Sequence, residues 1–360
     1  MYKFKLPLLC VIFAACFIVE CKPGQPTDPL PVTNTGGNTG TVAAGGESGL
    51  YFVGGTFSSP RDTFMLTTLW HSNGALSLSS KRTFAPVITS QGKDVYVAGN
   101  DGTQSVYWKN GVVAGTLSTP AGMISYATGI ALSGTDVYVS GVITYPLSLY
   151  PTTPVYWKNG TLNYLQHQTT TYNNDFWRTS GIAISGSDVY ISGDNGMQCV
   201  YWKNGVAVNL SNGTFTYGIT ISGTDIYILG NLYTNASVGT SVAGYWKNGI
   251  PVYLPNPNSI VQSAMAIAIN GTDVYVTGFI SISGNLNAVY WKNGTMTTLS
   301  KVTGSGALAS GIFIDASNNV YICGGENMAG QRSVAAYWRN GVETILSTQG
   351  SVVKGMVYIP

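Results

Sequence analysis

The chain is poor in charge, in histidine and in cysteine, and each scarcity closes off a class of function. Only 9% of its 360 residues are Asp, Glu, Lys or Arg, with a formal net charge of +2. Two of the cations, Lys3 and Lys5, sit in the N-terminal segment, so the remainder is close to neutral. A neutral chain of this kind has no electrostatic footprint for nucleic acid and no basic patch to hold a membrane surface. The two histidines, His71 and His167, are far apart in sequence. No Cys/His spacing suited to a metal and no phosphate-binding glycine loop occurs. No cofactor, metal ligand or catalytic residue is therefore assigned from the sequence. Outside the N-terminus no segment has the 3.6-residue apolar period of an amphipathic helix.

What the chain has is repetition. Trp70, Trp108, Trp157, Trp202, Trp246, Trp291 and Trp338 each open the same phrase, Trp-Lys-Asn-Gly in five copies, with Trp70-His71-Ser72-Asn73-Gly74 and Trp338-Arg339-Asn340-Gly341 as variants. The spacing of 38 to 49 residues between tryptophans, with strand-like content, marks a β-propeller with one repeat per blade. A second phrase, Asp-Val-Tyr-Val-x-Gly and its variants, precedes most of these at Asp94, Asp136, Asp188, Asp225, Asp273 and Asn319. Before it comes a third, such as Gly181-Ile182-Ala183-Ile184. Each is a short β-branched or aromatic run bounded by Gly, Asn or Asp, which reads as a strand. The order within a repeat is A (Gly-Ile-Ala-Ile), B (Val-Tyr-Val), C (Val-Tyr-Trp) and D, the last carrying a Leu. Asn-Gly between C and D predicts a type I′ hairpin turn, which needs positive φ at both central residues. In the A–B turn the Asp is expected to accept backbone N–H groups.

The expected fold is all-β: a seven-bladed β-propeller of four antiparallel strands per blade, occupying residues 49–360 and closed between the N- and C-termini. Lys354-Gly355-Met356-Val357-Tyr358-Ile359 resembles a strand A with no B after it, and Leu50-Tyr51-Phe52-Val53-Gly54 resembles a B with no A before it. One blade shared by both ends removes open sheet edges. Ala309-Ser310-Gly311-Ile312-Phe313-Ile314-Asp315 followed by Asn319-Val320-Tyr321-Ile322-Cys323-Gly324, and more loosely the stretch from Thr128 to Gly141, resemble the bacterial β-propeller repeat abbreviated SBBP. The resemblance covers strands A and B and implies a surface or secreted bacterial propeller. It carries no catalytic residues, and the Trp-Lys-Asn-Gly half of each repeat departs from it.

Residues 1–21 read as a lipoprotein-type signal: a basic start, then an apolar run to Val19 that is short for a membrane span. Ala15 before Cys16 favours Cys16 as the lipidated residue over Cys21, which follows Glu20; an ordinary secretory signal is the bland alternative. Residues 22–48, rich in Pro, Thr, Asn and Gly, are expected to form a tether. Nothing in the sequence specifies a partner copy, and a monomer is expected. It is expected to be extracytoplasmic and bound to a bacterial membrane through its lipid alone. Beyond residue 48 the only cysteines are Cys199 and Cys323, in different repeats, and they are expected to be core thiols.

All variation in loop length falls in the B–C and D–A connections, which an up-and-down blade places on one face. Variable loops on a rigid scaffold are where binding concentrates. Trp177 is the one tryptophan outside the repeat, in Tyr172-Asn173-Asn174-Asp175-Phe176-Trp177-Arg178. With Tyr145 and Tyr150 from the other long loop of the third repeat, these residues suggest a platform for a glycan or peptide. The alternative is that the loop folds its aromatics beneath itself. Thr128, Ser180, Tyr217, Met265, Ser310, Lys354 and Pro86 should ring the axial mouth, as ligand contacts or as channel lining. A carbohydrate-active hydrolase or lyase is the competing function, using acids of the variable face: Asp62, Asp101, Asp175, Asp194 and Glu326, with His167 near Asp175. The sialidase Asp-box is absent.

Overall fold

The computed structural model describes residues 48–57, 65–71, 74–81, 86–146, 152–167, 176–195, 197–235, 240–255, 261–301, 306–327, 333–347 and 350–360. These form 28 strands in seven four-stranded antiparallel sheets arranged as a ring, and among the described residues there is no helix. Blade 1 joins the two ends of the chain: β28 (Ser351–Ile359) pairs with β1 (Gly49–Phe57), which continues to β2 (Met65–His71) and β3 (Gly74–Ser77). Blades 2 to 7 each use four consecutive strands. Their innermost strands are β4 (Val87–Gln91), β8 (Ile124–Ser133), β12 (Arg178–Ser185), β16 (Gly213–Ser222), β20 (Val261–Asn270) and β24 (Gly306–Ile314). Each innermost strand touches the next, and β24 and β4 both touch β28. Residues 1–47, which hold the expected signal, nearly all of the expected tether, Cys16 and Cys21, lie outside the described residues.

The Asn-Gly turns adopt the geometry their sequence requires. Asn159 has φ of 50° and Gly160 of 83°, and the pairs at 110, 204, 248, 293 and 340 repeat it. The A–B turn differs from expectation. In blades 2 to 6 its Asp receives side chains from the neighbouring hairpin, whereas in blade 7 Asp315 accepts the N–H groups of Ser317 and Asn319 as expected. Asp136 accepts from Lys158 Nζ and from Asn159 Nδ2, both at 2.8 Å, while Asn159 Oδ1 accepts the N–H of Val137 at 2.8 Å. The Lys158 ammonium also lies 5.3 Å from the Tyr138 ring centroid. The same staple joins the two hairpins at Asp94, Asp188, Asp225 and Asp273. A long-range pairing of this kind is invisible to a rule about local Asp turns.

The two blades at the join of the chain ends alter the staple in compensating ways. In blade 1 Gly49 stands in the Asp position and His71 in the Lys position, and the His71 ring stacks on Tyr51 at 4.2 Å. Loss of the acid thus accompanies loss of the cation. In blade 7 Asn319 replaces the Asp, Arg339 lies over Tyr321, and Asp315 supplies the carboxylate.

The core sits in the seams between blades. Each repeat Trp is buried there, and in four seams its indole N–H reaches back to the preceding blade. Trp157 donates to Ser118 O (2.7 Å), Trp202 to Gln166 O (2.5 Å), Trp246 to Ser211 O (2.8 Å) and Trp338 to Ser300 O (2.7 Å). In every case the acceptor follows the buried Leu that ends strand D. Cys199 and Cys323 are buried free thiols in separate seams. Burial pushes the Cys323 thiol up to about 12, so it stays protonated and packs as a small apolar group.

Candidate ligand-binding mouth

The innermost strands share a defect in pairing that builds the mouth. Strands β8, β12, β16, β20 and β24 each skip a residue at one level against strand B, leaving Thr128, Ser180, Tyr217, Met265 and Ser310 as the extra residue, and β16 also skips Thr214. In β28 the same shift leaves Lys354. Blade 2 lacks the bulge because β4 begins at Val87, just after Pro86. A bulge bends its strand and re-aims a side chain. Here it occurs at one level in six blades and presents six side chains of five kinds. The sequence-derived mouth residues are these six and Pro86.

Most of the bulged hydroxyls close a belt between blades. Thr128 bonds Thr179 at 2.6 Å, Ser180 bonds Thr216 at 2.8 Å, Ser263 donates to Tyr217 at 3.3 Å, and Ser310 donates to Val353 O at 2.6 Å. Lys354 stands apart. It is half-buried and has no hydrogen bond or ion pair among the described residues, a lack shared by Lys93, which is exposed, whereas Lys81, Lys109, Lys158, Lys203, Lys247 and Lys292 are ion-paired.

Next to this belt, blade 4 holds a charged pair against blade 5. Arg178, at the start of β12, reaches Asp194 Oδ1 through Nε (3.1 Å) and Nη2 (2.6 Å). The other oxygen of Asp194 accepts the N–H of Thr216 at 3.2 Å and its hydroxyl at 3.4 Å. The guanidinium lies 4.7 Å from the Phe215 ring and 5.6 Å from that of Phe176. Its side chain is 21% exposed and that of Asp194 is 1% exposed. Tyr217 is packed beside the pair, and burial raises its hydroxyl above the usual tyrosine range. The hydroxyl is thus a neutral hydrogen-bonding group at any physiological pH.

The expected aromatic platform is not formed by Trp177. That ring is 4% exposed and packs edge-on against Trp202 at 5.9 Å, while its backbone N–H and carbonyl are both held by the Thr152 hydroxyl. An apolar ring beside a repeat Trp gains more from burial than from solvent, so Trp177 is core. Arg178 faces Asp194 and the phenyl rings. His167 donates from Nδ1 to Leu165 O at 3.0 Å and packs edge-on to Trp177. Tyr145 is exposed; Tyr150, Tyr172, Asp175 and Asp62 lie outside the described residues.

The remaining acids are not gathered. Asp101 in blade 2 accepts from Ser79 and Lys81, which hold it below the usual carboxylate range. Asp194 is in blade 4, and Glu326, fully buried, is in blade 7. No two of these blades adjoin. Among the described residues no group of three or more His, Cys, Asp or Glu could hold a metal ion. Sequence reasoning missed Phe215 and Thr216 as the partners of the Arg178–Asp194 pair, because they belong to the next blade and nothing local signals them.

No protein-family model matches the chain, and no curated protein matches it. Solved structures do share its architecture. The β-propeller domain of the trilobed protease from Pyrococcus furiosus is 12% identical, with 83% of this chain and 80% of that one covered and a TM-score of 0.35. A prolyl endopeptidase structure is 11% identical over 85% of this chain and 50% of that chain, with a TM-score of 0.46. A PL25 ulvan lyase is 10% identical over 83% and 76%, with a TM-score of 0.40. At such identities the likeness concerns fold alone and says nothing of activity.

Proposed function

We propose that this propeller is a non-enzymatic binding module held outside the cell by a lipid on Cys16, and that it takes a glycan or peptide ligand at its axial mouth. The observation that supports this is the ring of bulges. Frame and staple repeat almost unchanged from blade to blade, while the bulge position alone presents Thr, Ser, Tyr, Met and Lys side chains at a single level. Convergent and dissimilar groups on a rigid ring suit recognition. Lys354 gives that ring a cation without an internal counter-ion, and Arg178 exposes one side of its guanidinium nearby.

The test is an array of glycans and peptides probed with purified propeller, repeated with Lys354→Gln and with Tyr145→Ala. Binding that Lys354→Gln weakens about tenfold or more, as expected for a charge-assisted contact, and that Tyr145→Ala leaves intact supports the mouth. Binding indifferent to Lys354, or hydrolysis of a bound glycan, overturns the reading. The anchor is tested separately: mass spectrometry of the mature N-terminal peptide should find acylated Cys16, lost in Cys16→Ala and kept in Cys21→Ala.

A further inference from the structure

The seven seams are not equally joined. In the seam between blades 2 and 3, Ser118 accepts from the Trp157 indole, donates its N–H to Gly160 O at 2.9 Å, and through its hydroxyl accepts the N–H of Leu162 at 3.0 Å. Gln166 makes the corresponding set between blades 3 and 4, to Trp202, Gly205 and Ala207. Between blades 5 and 6 the residue in this place is Pro255. Proline has no N–H to offer Gly294 O, and the Trp291 indole N–H, fully buried, has no partner, a lack it shares with the Trp108 indole between blades 1 and 2.

The deficit runs the length of the same seam. Asn231 occupies the position from which Asn100 donates to Ser125 O of the next blade at 2.6 Å and Asp194 accepts from Thr216. Asn231 Oδ1 is buried and unpartnered, as Asn100 Oδ1 is, but Asn231 lacks the bond to the next blade that Asn100 makes through Nδ2. Gln262 is buried on the facing strand β20, and its Nε2 is unpartnered as well. Both face the seam, since Asn231 lies two residues from Leu229 and Gln262 two from Ala264, and Leu229 and Ala264 pack together across it. An acceptor and two donors are thus left without partners in one seam, which Ser263 crosses to Tyr217 at 3.3 Å. Outside, the seam widens into a groove of about 480 Å³ lined by Tyr245, Tyr253, Pro255 and Gly294. Apolar packing of Leu229, Ala243 and Leu254 against Val276, Val289 and Trp291 is intact.

We propose that the seam between blades 5 and 6 is the line along which the ring opens. Unpaired polar atoms lower the cost of wetting a seam, because water satisfies groups that the closed state leaves unsatisfied. A seam with paired groups loses hydrogen bonds on opening and gains none. Pro255 removes from this seam the backbone donor that Ser118 and Gln166 supply in theirs.

Cysteine chemistry reads this directly. Ala243 holds in blade 5 the place that Cys199 holds in blade 4, two residues before the Tyr of the Tyr-Trp pair and facing the next blade. In the full chain carrying Ala243→Cys, iodoacetamide labelling is followed by mass spectrometry of each thiol peptide under native conditions. The introduced thiol should react roughly tenfold faster than Cys199, whose seam keeps the Trp246 to Ser211 bond, as local opening free energies differ between regions. Adding Pro255→Ser should slow it to within about threefold of Cys199. Equal rates at the two sites, or faster labelling at Cys199, overturn the proposal. If Ala243→Cys does not fold, the native chain decides: the Trp291 indole proton should exchange faster than those of Trp157, Trp202, Trp246 and Trp338, and equal protection overturns it.

Discussion

The hairpin ends and the mouth of this ring solve the same problem in opposite ways. Both must fix the ends of strands against neighbours. At the hairpin ends one solution recurs: an exposed Asp, Lys and Asn with a Tyr beneath, in blades 2 to 6. Every group is in contact with water, so each staple adds little by itself and the chain uses many. At the mouth each blade differs, and its polar groups are buried: Asn100, Ser125, Ser140, Ser192, Thr179 and Asp194 are all shielded. A buried polar group is costly if unpaired, so a single change there should count for more than one at a staple.

The largest expected effect lies at the mouth. Arg178→Ala strands the Asp194 carboxylate in the interior and should cost about 3–5 kcal/mol, read by urea denaturation. The double change Arg178→Met with Asp194→Leu should recover most of this, because it removes both charges. If the single change costs no more than a staple mutation, the contrast between the two ends fails. Asn159→Ala comes next, at about 1 kcal/mol, since the bond from Val137 N–H is lost together with the residue best suited to positive φ.

Acid should weaken the hairpin ends. Asp94, Asp136, Asp188, Asp225 and Asp273 are held below the ordinary carboxylate value of 3.8, first by the Lys hydrogen bond and then by the Asn. A carboxyl group whose folded pKa is depressed contributes stability above its unfolded value and loses it as pH falls through the folded value. The melting midpoint should therefore hold from neutral pH down to about 5 and fall below about 4. A chain with all five replaced by Asn should show a shallower acid limb. Smallest of all is Lys158→Met, expected to leave the melting midpoint almost unchanged because exposed ion pairs contribute little. A clear drop in the midpoint would mean that the cation over Tyr138 matters more than its exposure suggests.

The places where sequence reasoning succeeded and failed follow from range. Asn-Gly specifies its own turn, because the φ requirement falls on the two residues themselves, and φ of 50° and 83° at Asn159 and Gly160 answers it. The bulged set follows from a similar rule: in five blades the extra residue stands next to the Gly of strand A, and in blade 6 Ala266 takes that place. Trp177 failed. Its neighbours in sequence are polar and aromatic and suggest a surface, but its environment is Trp202 and His167. Asp194 was visible only as an acid, with no sign of the arginine sixteen positions earlier as its partner across two strands.

By itself the sequence determined the number of blades, the four strands in each, their turns and the all-β class, because a tandem repeat writes the same local instructions seven times. Tertiary structure alone decided which polar groups meet across a seam. That choice depends on residues roughly 40 positions apart, brought together by ring geometry, and no local pattern carries it. Ser118 and Pro255 occupy one place in the repeat, yet only the packed ring reveals that the first joins three groups of the next blade and that the second faces an indole N–H left without a partner.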